Sequence, residues 1–229
     1  MIKRLKRILT ASAIGLAVVA AGIWVLIRVL DEGIPRYSGK PLFDWVQQAD
    51  SSDAAASHKA EVVINTLILP QLSGTMLNDT NDSQLRLALI EQLNTLPGVN
   101  LYHSTAYGRR AEAARQIGEI GPRAKAAIPD LIKVLKGADP APRAAAASAL
   151  GRIHSEPDTI IPLLTKLIDD PQASVPEAAV VGLGQFGALS KTAIPKLIKL
   201  VKGLDKDMQH AAGIALRQIA PEEAAKLGY

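Results

Sequence analysis

Gly182-Leu183-Gly184-Gln185-Phe186-Gly187 has the glycine spacing with which a tight turn cradles a dinucleotide pyrophosphate. That chemistry requires a strand before the first glycine and a helix opening after it, and the surrounding residues supply neither. The same glycines stand at a repeated offset with Ala149-Leu150-Gly151, so the pattern predicts close helix packing instead of a cofactor cradle. Metal binding or acid–base catalysis would need convergent ligands. His58, His103, His154 and His210 are dispersed, and no His-Glu-x-x-His spacing occurs. The chain has no cysteine, which removes thiol nucleophiles, disulfides and Cys-based metal sites, and it has no Gly-x-Ser-x-Gly nucleophile motif. The sequence therefore predicts no catalytic, cofactor-binding or metal-binding residue and no cofactor.

The elements that position every side chain come from a repeat. Ile128-Pro129-Asp130-Leu131-Ile132-Lys133, Ile161-Pro162-Leu163-Leu164-Thr165-Lys166 and Ile194-Pro195-Lys196-Leu197-Ile198-Lys199 begin 33 residues apart. Ala145-Ala146, Ala178-Ala179 and Ala211-Ala212 keep that offset, followed by Leu150, Leu183 and Leu216. Each unit reads as a helix A that starts at the Ile-Pro pair, where proline needs no donor, and a helix B rich in alanine, glycine and leucine. Such a unit cannot bury its apolar face alone, so neighbours must stack into a solenoid with an extended binding surface. Lys133, Lys166 and Lys199 share one repeat position, as do Arg110 and Arg143. The rows suit helix C-termini and solubility, and they also offer a basic ridge on the B helices, for which Arg110, Arg143, Arg152 and Arg217 are the candidates.

The net charge of +4 misleads about partners. Lys3, Arg4, Lys6, Arg7 and Arg28 fall in the first 30 residues, which carry no acid, and the remaining 21 basic and 22 acidic residues nearly cancel. Residues 108–229 hold only Phe186 and Tyr229 as aromatics, too few to stack bases, so no nucleic-acid partner is expected.

Residues 1–30 read as a signal anchor. Ile8 to Ile27, through Leu16 and Val19, form 20 consecutive uncharged positions, which as a helix span about 30 Å, the thickness of a bilayer's hydrocarbon core. The four preceding cations hold the N-terminus in the cytoplasm and place the rest of the chain on the exported side. A cleaved signal peptide is the alternative, with small residues around Ala20-Ala21-Gly22 for a peptidase. Both readings export the C-terminal body, as a single-pass membrane protein or as a secreted one.

Residues 31–40 form a turn-rich linker, and 41–107 a degenerate helical region. Leu42, Trp45, Val46 and Ala49 make one apolar stripe on a helix starting at Pro41, with Trp45 as a core anchor. Helical pattern resumes from Ala54 to Leu77, where Pro70 predicts a kink or break, and again from Asp82 to Leu96. The period fails over 97–107. That loop carries Tyr102, His103 and Tyr107 and is either a contact loop or a plug over the first regular unit.

Residues 108–229 resemble short bacterial, phycobilisome-lyase-like HEAT repeats, through Asp139 and Arg143, Ala146-Ala147, Ala149-Leu150-Gly151, Ile153 and Ala193-Ile194-Pro195-Lys196-Leu197. Gln172 and Pro176 depart from the pattern where aspartate and arginine are expected, which breaks an Asp–Arg ladder in the middle unit. Tyr37-Ser38-Gly39-Lys40-Pro41-Leu42 with Trp45 resembles the opening that precedes such repeats in exported bacterial proteins of unassigned role. The resemblance implies an all-α fold, a right-handed α-α superhelix of HEAT type behind one transmembrane helix. It implies a non-enzymatic scaffold that binds a protein partner, with the B-helix face and the 97–107 loop as contacts. A HEAT-like lyase or glycosylase and a purely structural envelope protein are the alternatives.

Overall fold

A computed structural model describes residues 36–80, 82, 84–95 and 105–229. The expected transmembrane segment, with Ile8, Leu16, Val19 and Ile27, lies outside the described residues, as do Tyr102 and His103. The chain divides into two compact units, one made of Arg36–Thr80 with Ala106–Tyr229, the other of Met1–Pro35 with Asn81–Thr105. In the second unit the described structure is one helix, Gln84–Leu93.

The larger unit is all-α apart from a two-stranded antiparallel hairpin, β1 (Arg36–Tyr37) and β2 (Lys40–Pro41). Ser38 and Gly39 form its tip with φ of 48° and 84°. Two successive positive φ values match the twist of paired strands, and glycine supplies the second at no steric cost. Pro41 then fixes the entry to α1 (Leu42–Ala49). Next comes α2 (Ala54–Asn78), capped by the Asp53 carboxylate, which accepts from the Ala55 and Ala56 N–H groups.

Pro70 does not break α2. The turn before it widens to π-helical pitch over Ile64–Ile68, with the Leu69 N–H reaching the Ile64 carbonyl, and this wide turn absorbs the proline ring. Asn65 and Thr66 donate from their side chains to the Glu61 and Val62 carbonyls beside the bulge. Among the described residues α2 alone is long and apolar enough to cross a membrane. Its buried stripe of Ile64, Ile68, Leu69, Leu72 and Met76 belongs to the protein core, as in an amphipathic core helix.

The array follows. Its B helices are α3 (Ala106–Ile120), α5 (Pro140–Ile153), α7 (Ser174–Gln185) and α9 (Lys206–Ile219). Its A helices are α4 (Ile128–Val134), α6 (Pro157–Leu167) and α8 (Ile194–Val201), and α10 (Pro221–Lys226) packs along α9. Successive B helices pack side by side, α3 on α5 on α7 on α9, through alanine, leucine and isoleucine, as the 33-residue period requires.

Helices α4 and α8 start at Ile-Pro after a 3₁₀ segment, as the sequence predicts. The middle unit differs. Pro157 presets the first helical turn there, so α6 begins four residues before Ile161 and carries Pro162 inside it, giving up one ladder hydrogen bond. The turn into each A segment is left-handed at one repeat position, Gly121, His154 and Gly187, with φ of 67°, 50° and 53°. At the middle position a histidine takes the conformation that glycine takes in its neighbours.

Candidate partner-binding groove

Two linked anchors hold the hairpin and α1 on the array. Trp45 is 3% exposed and donates its indole N–H to the Tyr37 carbonyl at 2.7 Å, while the Tyr37 hydroxyl donates to Gln116 Oε1 on α3 at 3.2 Å. Burial, helped by the nearby Glu112 charge, raises the Tyr37 hydroxyl pKa above its ordinary value, so the group stays a neutral donor. Lys40 lies over the Trp45 ring, 5.0 Å from its centre. The segment Tyr37 to Trp45 is therefore one folded clamp. Arg123 closes its far side through the Ala49 carbonyl and Asp50.

With Leu42, Trp45 and Ala49 turned inward, α1 leaves Phe43 71% exposed and Val46 at the margin. Phe43, Leu42 and Val46 form one wall of a groove of about 520 Å³. The other wall is built from the C-terminal ends of three B helices: Gly118 and Glu119 of α3, Gly151, Arg152 and His154 at the end of α5, and Gln185 of α7.

The glycines create this wall by letting helices touch. A Cβ on Gly118 would stand 2.9 Å from Ala149 Cα, and one on Gly151 would stand 2.6 Å from Gly182 Cα. The side chain one row on then lies over the bare backbone, with Arg152 above Gly118 and Gln185 above Gly151. Gly182 and Gly184, part of the dinucleotide-like hexapeptide, lie inside α7 with no strand before them, and their role is this packing. Gln185 Oε1 is buried without a donor, and the His154 ring stacks on Phe186 with centroids 5.0 Å apart.

The four candidate arginines separate into two groups. Arg143, 8% exposed, donates to the Gly137 and Ala138 carbonyls and to Asp170 at 3.0 Å. Arg110 donates to the Met76 carbonyl and pairs with Asp139 at 3.0 Å. Neither projects as a ridge; their guanidinium groups tie successive units together, because a buried cation needs an internal partner. Asp170 takes over from the missing aspartate at 172, so the ladder survives one step further than the sequence predicts and ends at Pro176. Burial works to raise the Asp170 carboxyl, but the Gln172 N–H and the hydrogen bond and charge of Arg143 outweigh it and hold the pKa below the ordinary aspartate value.

Arg152 and Arg217, in contrast, are exposed and make no ion pair among the described residues, and of the two Arg152 lines the groove. They occupy different repeat positions. Tyr107, expected in the loop, stands half-exposed in the first turn of α3, which begins at Ala106. Among the described residues no three histidine or carboxylate side chains gather as a metal site. The sequence reading missed Phe43, His154 and Gln185. Phe43 carried a signal, as one of two phenylalanines in the chain and set off the apolar stripe of its helix.

Residues 100–172 match the family model for HEAT repeats. That stretch, which holds α3 to α6, carries HEAT repeats. The fold of the HEAT array is similar to that in the complex of CpcE and CpcF of phycocyanin lyase from Nostoc sp. PCC7120, with a TM-score of 0.52. The likeness covers 86% of this chain and 70% of that chain at 22% identity, and it is one of fold. No curated protein matches the sequence.

Proposed function

We propose that this HEAT-repeat protein is a membrane-tethered scaffold whose groove between α1 and the B-helix ends holds a segment of a protein partner on the exported side. The observation that carries the reading is Phe43, a large aromatic 71% exposed on a clamp that is otherwise bolted down, in one groove with Arg152, which makes no ion pair among the described residues. Rigid aromatic and arginine side chains around a recess are where binding energy concentrates. The occupant that fits places an apolar side chain on Phe43, Leu42 and Val46 and a carboxylate or carbonyl on Arg152. Tethering rests on the uncharged run from Ile8 to Ile27 behind four cations.

A photo-crosslinking amino acid at position 43 of the full-length protein tests both parts. The scaffold reading expects a protein adduct in the membrane fraction that disappears when Arg152→Glu is added. An adduct that survives Arg152→Glu, or none at 43 while other surface positions give one, refutes the groove. Recovery of a shortened chain in the soluble fraction replaces the tether with a cleaved signal. A second reading, an enzyme acting on a bound small molecule, is favoured by the neighbour described as a phycocyanin lyase and by a groove volume in the range of ligand pockets. It expects a low-molecular-weight adduct at position 43 instead of a protein.

A further inference from the structure

A second groove, of about 470 Å³, runs between α7 and α9. Its floor is apolar: Val181 and Ile214, one repeat apart, are 42% and 37% exposed. Glu177 and Asp207 stand at one end with His210 beside them, Gln185 and Gln218 stand at the other, and neither lysine nor arginine lines it.

The carboxylates set this groove apart from the rest of the B face. On α3 the acids Glu112 and Glu119 both face Arg115, an ion-pair set within one helix. Among the described residues Glu177 and Asp207 make no ion pair, and at repeat position 115 the array runs Arg115, Ser148, Val181, Ile214, so aliphatic side chains stand on α7 and α9 where α3 has its cation. Both carboxylates lie in the first turns of their helices, where the helix dipole favours them, and beside exposed aliphatic surface they disfavour acidic partners and attract cationic ones.

We propose that the α7–α9 groove is a docking site for a cationic amphipathic helix of a protein partner. Its apolar side chains rest on Val181 and Ile214, and a lysine or arginine reaches Glu177 and Asp207. An apolar anchor recurring at i and i+3 or i+4, with cations beside it, suits a furrow between two parallel ridges of side chains. The site shares Gln185 with the groove at Phe43 and has the opposite charge preference.

The test uses the full-length protein in a nonionic detergent and a fluorescent 14-residue peptide of leucine and lysine in helical pattern, followed by anisotropy. A leucine–glutamate peptide of the same pattern is the comparison. The proposal expects saturable binding of the lysine peptide that weakens at least tenfold in Glu177→Lys/Asp207→Lys and weakens as salt rises. It also expects that doubly reversed variant to gain binding of the glutamate peptide, a result that a merely unfolded variant would not give. Ile214→Ser should weaken the lysine peptide with the charges intact. Absence of saturable binding, equal binding of both peptides to the unaltered protein, or unchanged lysine-peptide binding after charge reversal overturns it.

Discussion

Replacing Gly151 with alanine tests the packing rule on which both grooves depend. The added Cβ would stand 2.6 Å from Gly182 Cα, against the roughly 3.5–4.0 Å at which carbon atoms rest. No rotamer change relieves a contact with backbone, so α5 and α7 must separate locally by about 1 Å. Overpacking of this kind costs about 1–3 kcal/mol, and the upper end applies because the obstacle is main chain. The better helix propensity of alanine returns up to about 1 kcal/mol, which leaves a net loss of roughly 2 kcal/mol. For a chain of this length that lowers the melting temperature by roughly 4–8 °C. Gly74 provides the opposite case, since a Cβ there meets nothing within 4 Å, and Gly74→Ala should stabilise by up to about 1 kcal/mol. Urea titrations followed by far-ultraviolet circular dichroism on the full-length protein compare the two. A Gly151→Ala protein as stable as the unaltered one would refute the close-approach argument and reopen the question of why glycine recurs at 118, 151 and 184.

Two further outcomes follow from the middle unit. Asp170 has its carboxyl pKa lowered by folding, so the stability it contributes is complete above the ordinary aspartate value of about 4 and is lost as pH falls below it. Asp170→Asn should cost about 3 kcal/mol at neutral pH by leaving Arg143 buried beside a neutral group, and should flatten the acid limb of a stability-versus-pH profile; an acid limb as steep as before would show that Asp170 does not titrate there. His154 holds a left-handed backbone with φ of 50°, at a cost of about 1–2 kcal/mol for a residue with a Cβ. Glycine and alanine at 154 both lose the stack on Phe186, but only glycine relieves the backbone, so thermal melts should place His154→Gly about 1 kcal/mol above His154→Ala, and the reverse order would contradict the strain.

The solenoid was legible because its cause is periodic. Ile-Pro pairs, alanine pairs and Gly118, Gly151 and Gly184 recur at the spacing that stacks them, so helix order and the packing role of the glycines could be read from the chain. Trp45 was legible from helical spacing alone. What failed were inferences that needed the third dimension. Arg110 and Arg143 look like a surface row in sequence, yet their partners, the Met76 carbonyl, Asp139 and Asp170, lie 27 to 34 residues away and become neighbours only after stacking. Pro70 suggests a kink or a break, and the helix runs on through a π-bulge instead of breaking, a device with no sequence signature of its own. The groove could not be read because its two walls, α1 and the ends of α3, α5 and α7, are brought together by contacts between residues more than 70 positions apart, Tyr37 with Gln116 and Asp50 with Arg123.

The departures from the period gather where the groove is, and that gives them a common explanation. A solenoid of identical units presents identical rows, and a surface that repeats cannot fix the register of a partner. The row across the B-helix ends reads Glu119, Arg152, Gln185, Gln218, so the functional group changes from acid to base to amide while Gly118, Gly151 and Gly184 recur beneath Arg152, Gln185 and Gln218. At the neighbouring position Gly121 and Gly187 leave the rim bare, and His154 places a ring there that Phe186 holds in a stack. Arg152 and His154 thus occur together once along the array, opposite Phe43 of the clamp. The strain accepted at His154 and the irregular start of α6 mark the one unit where the solenoid gives up regular packing to make a site that differs from its neighbours.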